Sequence, residues 1–448
     1  GTAPSGALAV RVYMHSGQAV TIISAPAALA ESRMRLALFC ACGNGGGAAS
    51  GGNLTEMKTV EEVLAETPAG ELAGKNDIMQ FTVPFYSTQI QYSEGFLLRE
   101  RNGEIQPVKL MFPVAHVLEV RSNDLSVLYE QGKDYEIEDG QLAIPEGSSM
   151  RAMPDSEFFL ADAESAAWVY NAKAGSDEGK APTVDKTALY AYRYVITYIR
   201  TEVYEGNIVP SKADKLTHFS EKAKEGQTIE MLYVGDSIGE GAGGSGNFSD
   251  LAQMTAKGIE ERTGAIVNLS NCSVGGIDSQ EFMLAVNGKI DQVNHQNIEA
   301  KLRERYALME RKKAFADIVF IALGTNDSSA DRSANVFGIN IEEMIEYFRE
   351  ANPEVSIVLV SPMEINEKIR RNLPTDMRDL RIHDIAEYAE KLAELEETYE
   401  NIALADVHTA QASVLERKYT EDVIADNLNH PSDYMSRLYA QFLLATIL

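Results

Sequence analysis

Thr228-Ile229-Glu230-Met231-Leu232-Tyr233-Val234 runs directly into Gly235-Asp236-Ser237-Ile238-Gly239. A mostly apolar run of this length, ended by a Gly-rich turn, reads as a strand buried on both faces. A helix follows over about 249–262, with Ser249 or Asp250 as its cap and Gly264 as its stop. The alternation then repeats outward. Residues 265–269 read as a second strand, and 279–314 as a long helical stretch broken near Gly288. Asp317-Ile318-Val319-Phe320-Ile321-Ala322-Leu323 is a third strand, and the helix over 341–350 stops at Asn352-Pro353. Strand four covers 355–360, a helix 381–400, strand five 402–406, and a closing helix 432–447. Apolar strands alternating with helices predict an α/β domain over 226–448, with a parallel sheet covered on both faces. Such sheets place their sites at the carboxyl ends of strands.

Upstream the period changes. From about 77 to 205 it is two, as in Gln80-Phe81-Thr82-Val83-Pro84-Phe85 and in the stretches 108–112 and 116–120. Residues 134–145 read as a hairpin turned by Asp139-Gly140. Residues 190–199 form an aromatic and β-branched strand. These short strands predict an all-β domain over 76–222, a sandwich or jelly roll. The single Trp168 falls in this domain and reads as core or a loop anchor before it reads as a sugar platform. Residues 206–226 read as the connector.

Residues 1–75 are Ala/Gly/Ser-rich and read as a largely irregular leader, with a flexible tether at 43–53. Arg33-Met34-Arg35, a short apolar run and then Cys40-Ala41-Cys42-Gly43 resemble a bacterial lipoprotein signal, with Cys42 as the lipidated residue. The competing reading is a disordered leader with two incidental thiols. The expectation is a secreted or cell-surface protein. Over 448 residues the net charge is −27, which repels phosphate backbones and argues against nucleic acid as the main partner. Three cysteines build no disulfide framework, and no metal or cofactor constellation is evident.

The chemistry-bearing residues stand just after the strands. Strand one ends in Gly235-Asp236-Ser237, and strand two is followed by Asn271-Cys272-Ser273-Val274-Gly275-Gly276. Strand three runs into Gly324-Thr325-Asn326-Asp327, and Asp426-Asn427-Leu428-Asn429-His430-Pro431 precedes the last helix. A serine is a weak nucleophile unless a base takes its proton, and histidine is the usual base. The tetrahedral intermediate then needs donors aimed at its oxyanion. The backbone N–H groups of Ser237 and Gly276 and the side-chain amide of Asn326 are the candidates.

These blocks, in this order and spacing, resemble the SGNH (GDSL-type) serine hydrolases over roughly 226–448. The resemblance implies a flavodoxin-like three-layer fold and a carboxylic ester hydrolase acting through an acyl-enzyme. It maps the nucleophile to Ser237, the oxyanion donors to Ser237, Gly276 and Asn326, and the base to His430. The family usually carries Asp three residues before the His, where this chain has Asn427. Two alternatives follow. Asp426 takes the role with one extra loop residue at Asn429, or the site is a Ser–His dyad whose ring is oriented by a backbone carbonyl. The resemblance further implies small acyl groups or polysaccharide decorations, acetyl or feruloyl, as targets. A β domain before an SGNH domain resembles the arrangement in some carbohydrate esterases.

Other readings remain. One is a general short-chain or aryl carboxylesterase, with 362–380 (Met363, Ile365, Leu373) walling an apolar acyl site. Another is a surface carbohydrate-binding protein with an inert hydrolase domain. A nucleotide-binding protein is disfavoured. Gly239-x-Gly241-x-x-Gly244 begins five residues past its strand, and strand two ends in Asn271 rather than an acid. Asp327 reads as a turn former and Cys272 as a small buried filler. His383 and His408 fall near the rim without an assigned role.

Overall fold

The computed structural model describes residues 10–15, 18–23, 52–67, 82–159, 182–248, 250–293, 296–330, 332–366 and 385–448. Cys40, Cys42, Trp168, Leu373, His383 and nearly all of the tether 43–53 lie outside them. Residues 1–50 form one unit and 51–448 another. In the first, strands β1 (Val10–His15) and β2 (Gln18–Ile23) pair antiparallel. The second opens with the helix Val60–Glu66. The described residues of 1–75 thus include a strand pair and a short helix. Thr59 and Glu62 form a capping box, which supplies partners for the first N–H groups of a short helix.

The β region is built on a four-stranded antiparallel sheet. Its members are β3 (Ile90–Leu97), β10 (Arg193–Arg200), β6 (Val114–Ser122) and β7 (Leu128–Tyr129), in that order. Two small ribbons flank it, β4–β5 (Glu100–Arg101, Glu104–Ile105) and β8–β9 (Glu136–Glu138, Gln141–Ala143). The β8–β9 turn is Asp139-Gly140, both at positive φ (49° and 76°), as a two-residue hairpin with right-handed strand twist requires.

Three predicted strand boundaries are corrected. Of the predicted stretch 80–85 the described residues 82–85 form no strand, and neither do 108–112, although their apolar residues alternate. The alternation there reports alternate burial, while the backbone donors go to side chains. The N–H of Phe85 donates to Gln441 Oε1 (2.9 Å), that of Met111 to Glu94 Oε1 (2.8 Å) and that of Phe112 to Tyr198 Oη (3.1 Å). Tyr190 ends a short helix, Lys186–Tyr190, capped by Asp185, and β10 begins only at Arg193.

The C-terminal region holds five parallel strands in the order β12-β11-β13-β14-β15. They are β11 (Thr228–Gly235), β12 (Ile266–Asn271), β13 (Ile318–Ala322), β14 (Ser356–Val360) and β15 (Ile402–Ala405). The order reverses at β11, the flavodoxin-like pattern, so the rim between β11 and β13 is the topological switch point. Side chains alternate between two cores. Met231, Tyr233, Phe320, Val358 and Ala403 face the helices Leu251–Thr263 and Asp433–Ile447. Leu232, Val234, Val319, Ile357 and Leu404 face the helices Ser279–Val286, Ala334–Ala351 and Ile385–Thr398. The result is an α/β/α stack.

The closing helix is buried along almost its whole length. A helix apolar on all sides must be covered on all sides. The parallel sheet covers one side, and the antiparallel sheet covers another. A β-carbon on Gly95 of β3 would stand 2.7 Å from Tyr434 Cβ, and Arg437 donates to the Ser93 carbonyl (2.5 Å). A buried ion pair crosses the same boundary, Lys418 Nζ to Glu94 Oε1 at 2.8 Å, with Tyr198 Oη donating to the other carboxylate oxygen at 2.7 Å.

Candidate active site

Three of the predicted residues stand in one hydrogen-bonded row. Ser237 Oγ lies 3.0 Å from His430 Nε2, and His430 Nδ1 lies 2.6 Å from Asp426 Oδ2. Ser237 follows β11 in a tight turn. The Ile238 N–H donates to Asp236 Oδ1 (2.9 Å), and the Ala242 N–H to the Ser237 carbonyl (2.9 Å). Asp236 lies beneath the turn at 2% exposure, where burial pushes its carboxyl up to about 6. The His430 side chain keeps 25% of its surface exposed, so the row opens to solvent at the serine end.

The His loop resolves the departure at Asn427. The Ala425 N–H donates to the His430 carbonyl (2.8 Å), and Ile424 bridges Pro431, which closes 425–430 into a loop. Asp426 Oδ1 accepts the N–H groups of Leu428 (2.9 Å), Asn429 (3.1 Å) and His430 (3.2 Å), leaving Oδ2 for the ring. Burial pushes the Asp426 carboxyl up, but the His430 ring and these backbone donors pull it down further, and it lies below the ordinary value. Asn427 adopts φ 55°, a left-handed conformation that Asn tolerates better than most residues. Its amide points away from the ring and donates to the Thr183 carbonyl (2.9 Å). The carboxylate paired with the ring is thus that of Asp426, four residues before the histidine, and Asn427 takes the left-handed turn between them.

Of the other two blocks, the glycine turn lies beside the serine and Asn326 is tied to that turn. A β-carbon on Gly275 would stand 3.6 Å from Ser237 Cβ, so the Val274-Gly275-Gly276 turn abuts Ser237. Gly276 has φ 82° and faces Ile298. Asn326 Nδ2 donates to the carbonyl of Ile277, the residue after Gly276 (2.9 Å). Asn271 ties β12 to the turn after Ser237 by donating to the Gly239 carbonyl (2.7 Å).

Asp327 turns away. Its carboxyl accepts the Ser279 N–H (3.0 Å) and hydroxyl, and burial pushes it up to about 7. It pins the start of the helix Ser279–Val286 to the end of β13. His408 pairs with Glu364 (3.1 Å) outside the row. Cys272 is buried, and burial pushes its thiol up to about 12. Met363, read as a possible acyl wall, is fully buried in the core. The glycines after Ser237 form a loop packed on the histidine. Gly243 has φ 91°, and a β-carbon there would collide with the Pro431 carbonyl and stand 2.8 Å from His430 Cβ.

Several residues at this site come from the β region and carry no local signature in sequence. Thr183 holds Asn427. The Tyr190 hydroxyl donates to the Gly243 carbonyl (3.0 Å), and Lys186 Nζ to the Gly244 carbonyl (3.0 Å). Arg193, 4% exposed, donates to the carbonyls of Asp422 (3.2 Å) and Ile424 (2.9 Å), just before Asp426.

Residues 233–438 match the family model described as the GDSL-like Lipase/Acylhydrolase family. A search of curated proteins finds no match. Among solved structures the chain is similar to a two-domain esterase (CEX) active on acetylated mannans, co-crystallised with mannopentaose. The identity is 18%, the TM-score 0.36, and the match covers 52% of this chain and 53% of that one, about half its length. It is similar also to an acetyl xylan esterase, AlAXEase (19%, TM-score 0.34, 48% of this chain and 98% of that one). A lipase/acylhydrolase from Enterococcus faecalis is a third (19%, TM-score 0.33, 48% and 93%). The matched residues take in the Gly235-Asp236-Ser237 turn and most of the parallel sheet already described, and they mark the C-terminal region as a GDSL-like lipase/acylhydrolase domain.

Proposed function

We propose that Ser237, His430 and Asp426 act as nucleophile, general base and orienting acid in the hydrolysis of carboxylic esters. The observation that carries this is the unbroken row from Ser237 Oγ through both ring nitrogens to Asp426 Oδ2, at 3.0 and 2.6 Å. With Asp426 ionised, Nδ1 carries the proton and Nε2 presents its lone pair to the serine. Ser237 Oγ attacks the ester carbonyl as Nε2 takes its proton. The oxyanion is received by the backbone N–H groups of Ser237 and Gly276 and by Asn326 Nδ2. Collapse expels the alcohol, which takes the proton from Nε2, and leaves the acyl group on Ser237. Water attacks in turn, Nε2 takes and returns its proton, and the acid departs. Each oxyanion donor contributes on the order of a hundred- to a thousandfold in rate.

The substrate class we favour is a carbohydrate bearing small acyl esters, acetyl or feruloyl, with a general short-chain or aryl carboxylesterase as the alternative. An acidic chain with a β region beside its hydrolase domain supports the first. An inert domain in a carbohydrate-binding protein is the non-enzymatic reading, and the intact row argues against it. Hydrolysis of p-nitrophenyl acetate by the wild type and by Ser237→Ala tests the mechanism; equal rates would defeat it. Release of acetate from acetylated xylan or mannan, compared with release of ferulate from feruloylated sugar, then separates the substrates.

A further inference from the structure

The segment 183–193 of the β region touches the His loop before, at and after its functional residues. Arg193 holds the carbonyls of Asp422 and Ile424 on the approach to Asp426. The Thr183 carbonyl anchors the Asn427 amide at the tip. Past His430, the Asp433 N–H donates to the Tyr190 hydroxyl at 3.0 Å. That same hydroxyl donates to the Gly243 carbonyl at 3.0 Å. Asp433 is the first residue of the closing helix, whose first N–H has no partner within the helix. Gly243 is the residue whose backbone rests on His430 Cβ. One phenol thus joins the glycine turn beside His430 Cβ to the start of the closing helix, three residues after His430. The Asp433 carboxylate strengthens the joint by accepting from the Ser245 N–H (2.9 Å) and hydroxyl (2.6 Å) and from Asn123 Nδ2 (2.7 Å). Asn123, like Tyr190, belongs to the β region.

We propose that Tyr190 is a positioning residue for the esterase reaction: its hydroxyl, with the Asn427–Thr183 bond, holds His430 in line with Ser237, so the β region forms part of the catalytic apparatus. This rests on the role proposed above for Ser237 and His430. A ring supported from one side only swings by rotation of its loop, and a displacement of about 1 Å costs on the order of a hundredfold in rate. Burial raises the Tyr190 phenol further above its ordinary value, so it remains a donor throughout the working pH range.

The test compares full-length Tyr190→Phe and Asn427→Gly with Tyr198→Phe. Glycine keeps the left-handed backbone at 427 and deletes only the amide. Tyr198→Phe removes a buried hydroxyl from the same β region, one bonded to Glu94 and to the Phe112 N–H and to neither segment around His430. Three quantities are measured: kcat and KM for p-nitrophenyl acetate, the rate at which phenylmethanesulfonyl fluoride inactivates Ser237, and the thermal midpoint. Tyr190→Phe and Asn427→Gly each lower kcat and the inactivation rate together by about tenfold or more, with KM within about twofold, as expected for misalignment without loss of binding. Tyr198→Phe lowers the midpoint and leaves both rates at the wild-type value. If Tyr190→Phe and Asn427→Gly lower only the midpoint, with both rates unchanged, the positioning role is overturned and the contacts are structural. Should Tyr190→Phe not fold, Asn427→Gly alone decides by the same two rates. A wild type that neither hydrolyses the ester nor reacts at Ser237 overturns the proposed function itself, and this proposal with it.

Discussion

Replacing Asp426 by Asn should lower kcat by about ten-thousandfold, the penalty of the wrong imidazole tautomer in a Ser-His-acid triad. The structure isolates that effect. Asp426 Oδ1 accepts three backbone N–H groups, and an asparagine oxygen accepts the same three. The loop is therefore retained. The change falls on the other atom, 2.6 Å from His430 Nδ1, where an acceptor becomes an NH2 donor. Two donors cannot face each other, so the ring moves its proton to Nε2. Nε2 lies 3.0 Å from Ser237 Oγ and no longer presents a lone pair to it. A factor of ten thousand corresponds to about 5 kcal/mol of transition-state stabilisation. KM should stay near the wild-type value, because no binding contact changes. The assay is steady-state hydrolysis of p-nitrophenyl acetate, with the thermal midpoint measured in parallel. Adding Asn427→Asp should not restore activity, because that side chain is directed at the Thr183 carbonyl. Turnover of Asp426→Asn above about a tenth of wild type would refute the reasoning, since an acid worth under about 1.4 kcal/mol is not setting the tautomer.

Two further substitutions probe the surroundings. Gly243→Ala should lower kcat by about a hundredfold while far-UV circular dichroism is retained, because its β-carbon displaces Pro431 and His430, and misplacements of this size cost that much. Gly246→Ala is the control: it has nearly the same positive φ (88°) with nothing within 4 Å, so equal activity loss in the two variants would show that backbone strain alone is responsible. Asp327 gives a pH-dependent outcome. Its carboxyl titrates at about 7 when folded against an ordinary 3.8, so between these values the folded state holds a proton that the unfolded state has released. Stability from this group is therefore present at low pH and erodes as pH rises towards 7. Thermal midpoints at pH 5 and pH 8 should differ less in Asp327→Asn than in wild type, and an unchanged difference would contradict the assignment.

Much of the hydrolase domain is legible in the chain because its signals are local. A strand buried on both faces must be apolar throughout, so β11, β13 and β14 stand out as runs. Asp250 caps the helix Leu251–Thr263 and Gly264, at φ 75°, ends it, as the residue types predict. Gly288, at φ 69°, breaks the long helical stretch. The β region is less legible. Alternation in residues 82–85 and 108–112 comes from side chains entering a shared core, and the same pattern serves a strand equally well. Nothing in the order of residues distinguishes the two, because the difference lies in where each N–H finds its acceptor.

Ser237, Gly276 and Asn326 could be picked as candidates from their place after strands, because a parallel sheet delivers every such turn to one rim, and His430 from its block before the closing helix. The choice between Asp426 and Asn427 could not. It depends on one backbone rotation, the left-handed turn at Asn427, and on a carbonyl 244 residues earlier that holds its amide. Tyr190, Thr183 and Arg193 escape sequence reading for the same reason. In each of their bonds one partner is a backbone atom, which every residue possesses, and only the packing of the β region against the His loop and closing helix brings the groups within hydrogen-bond reach.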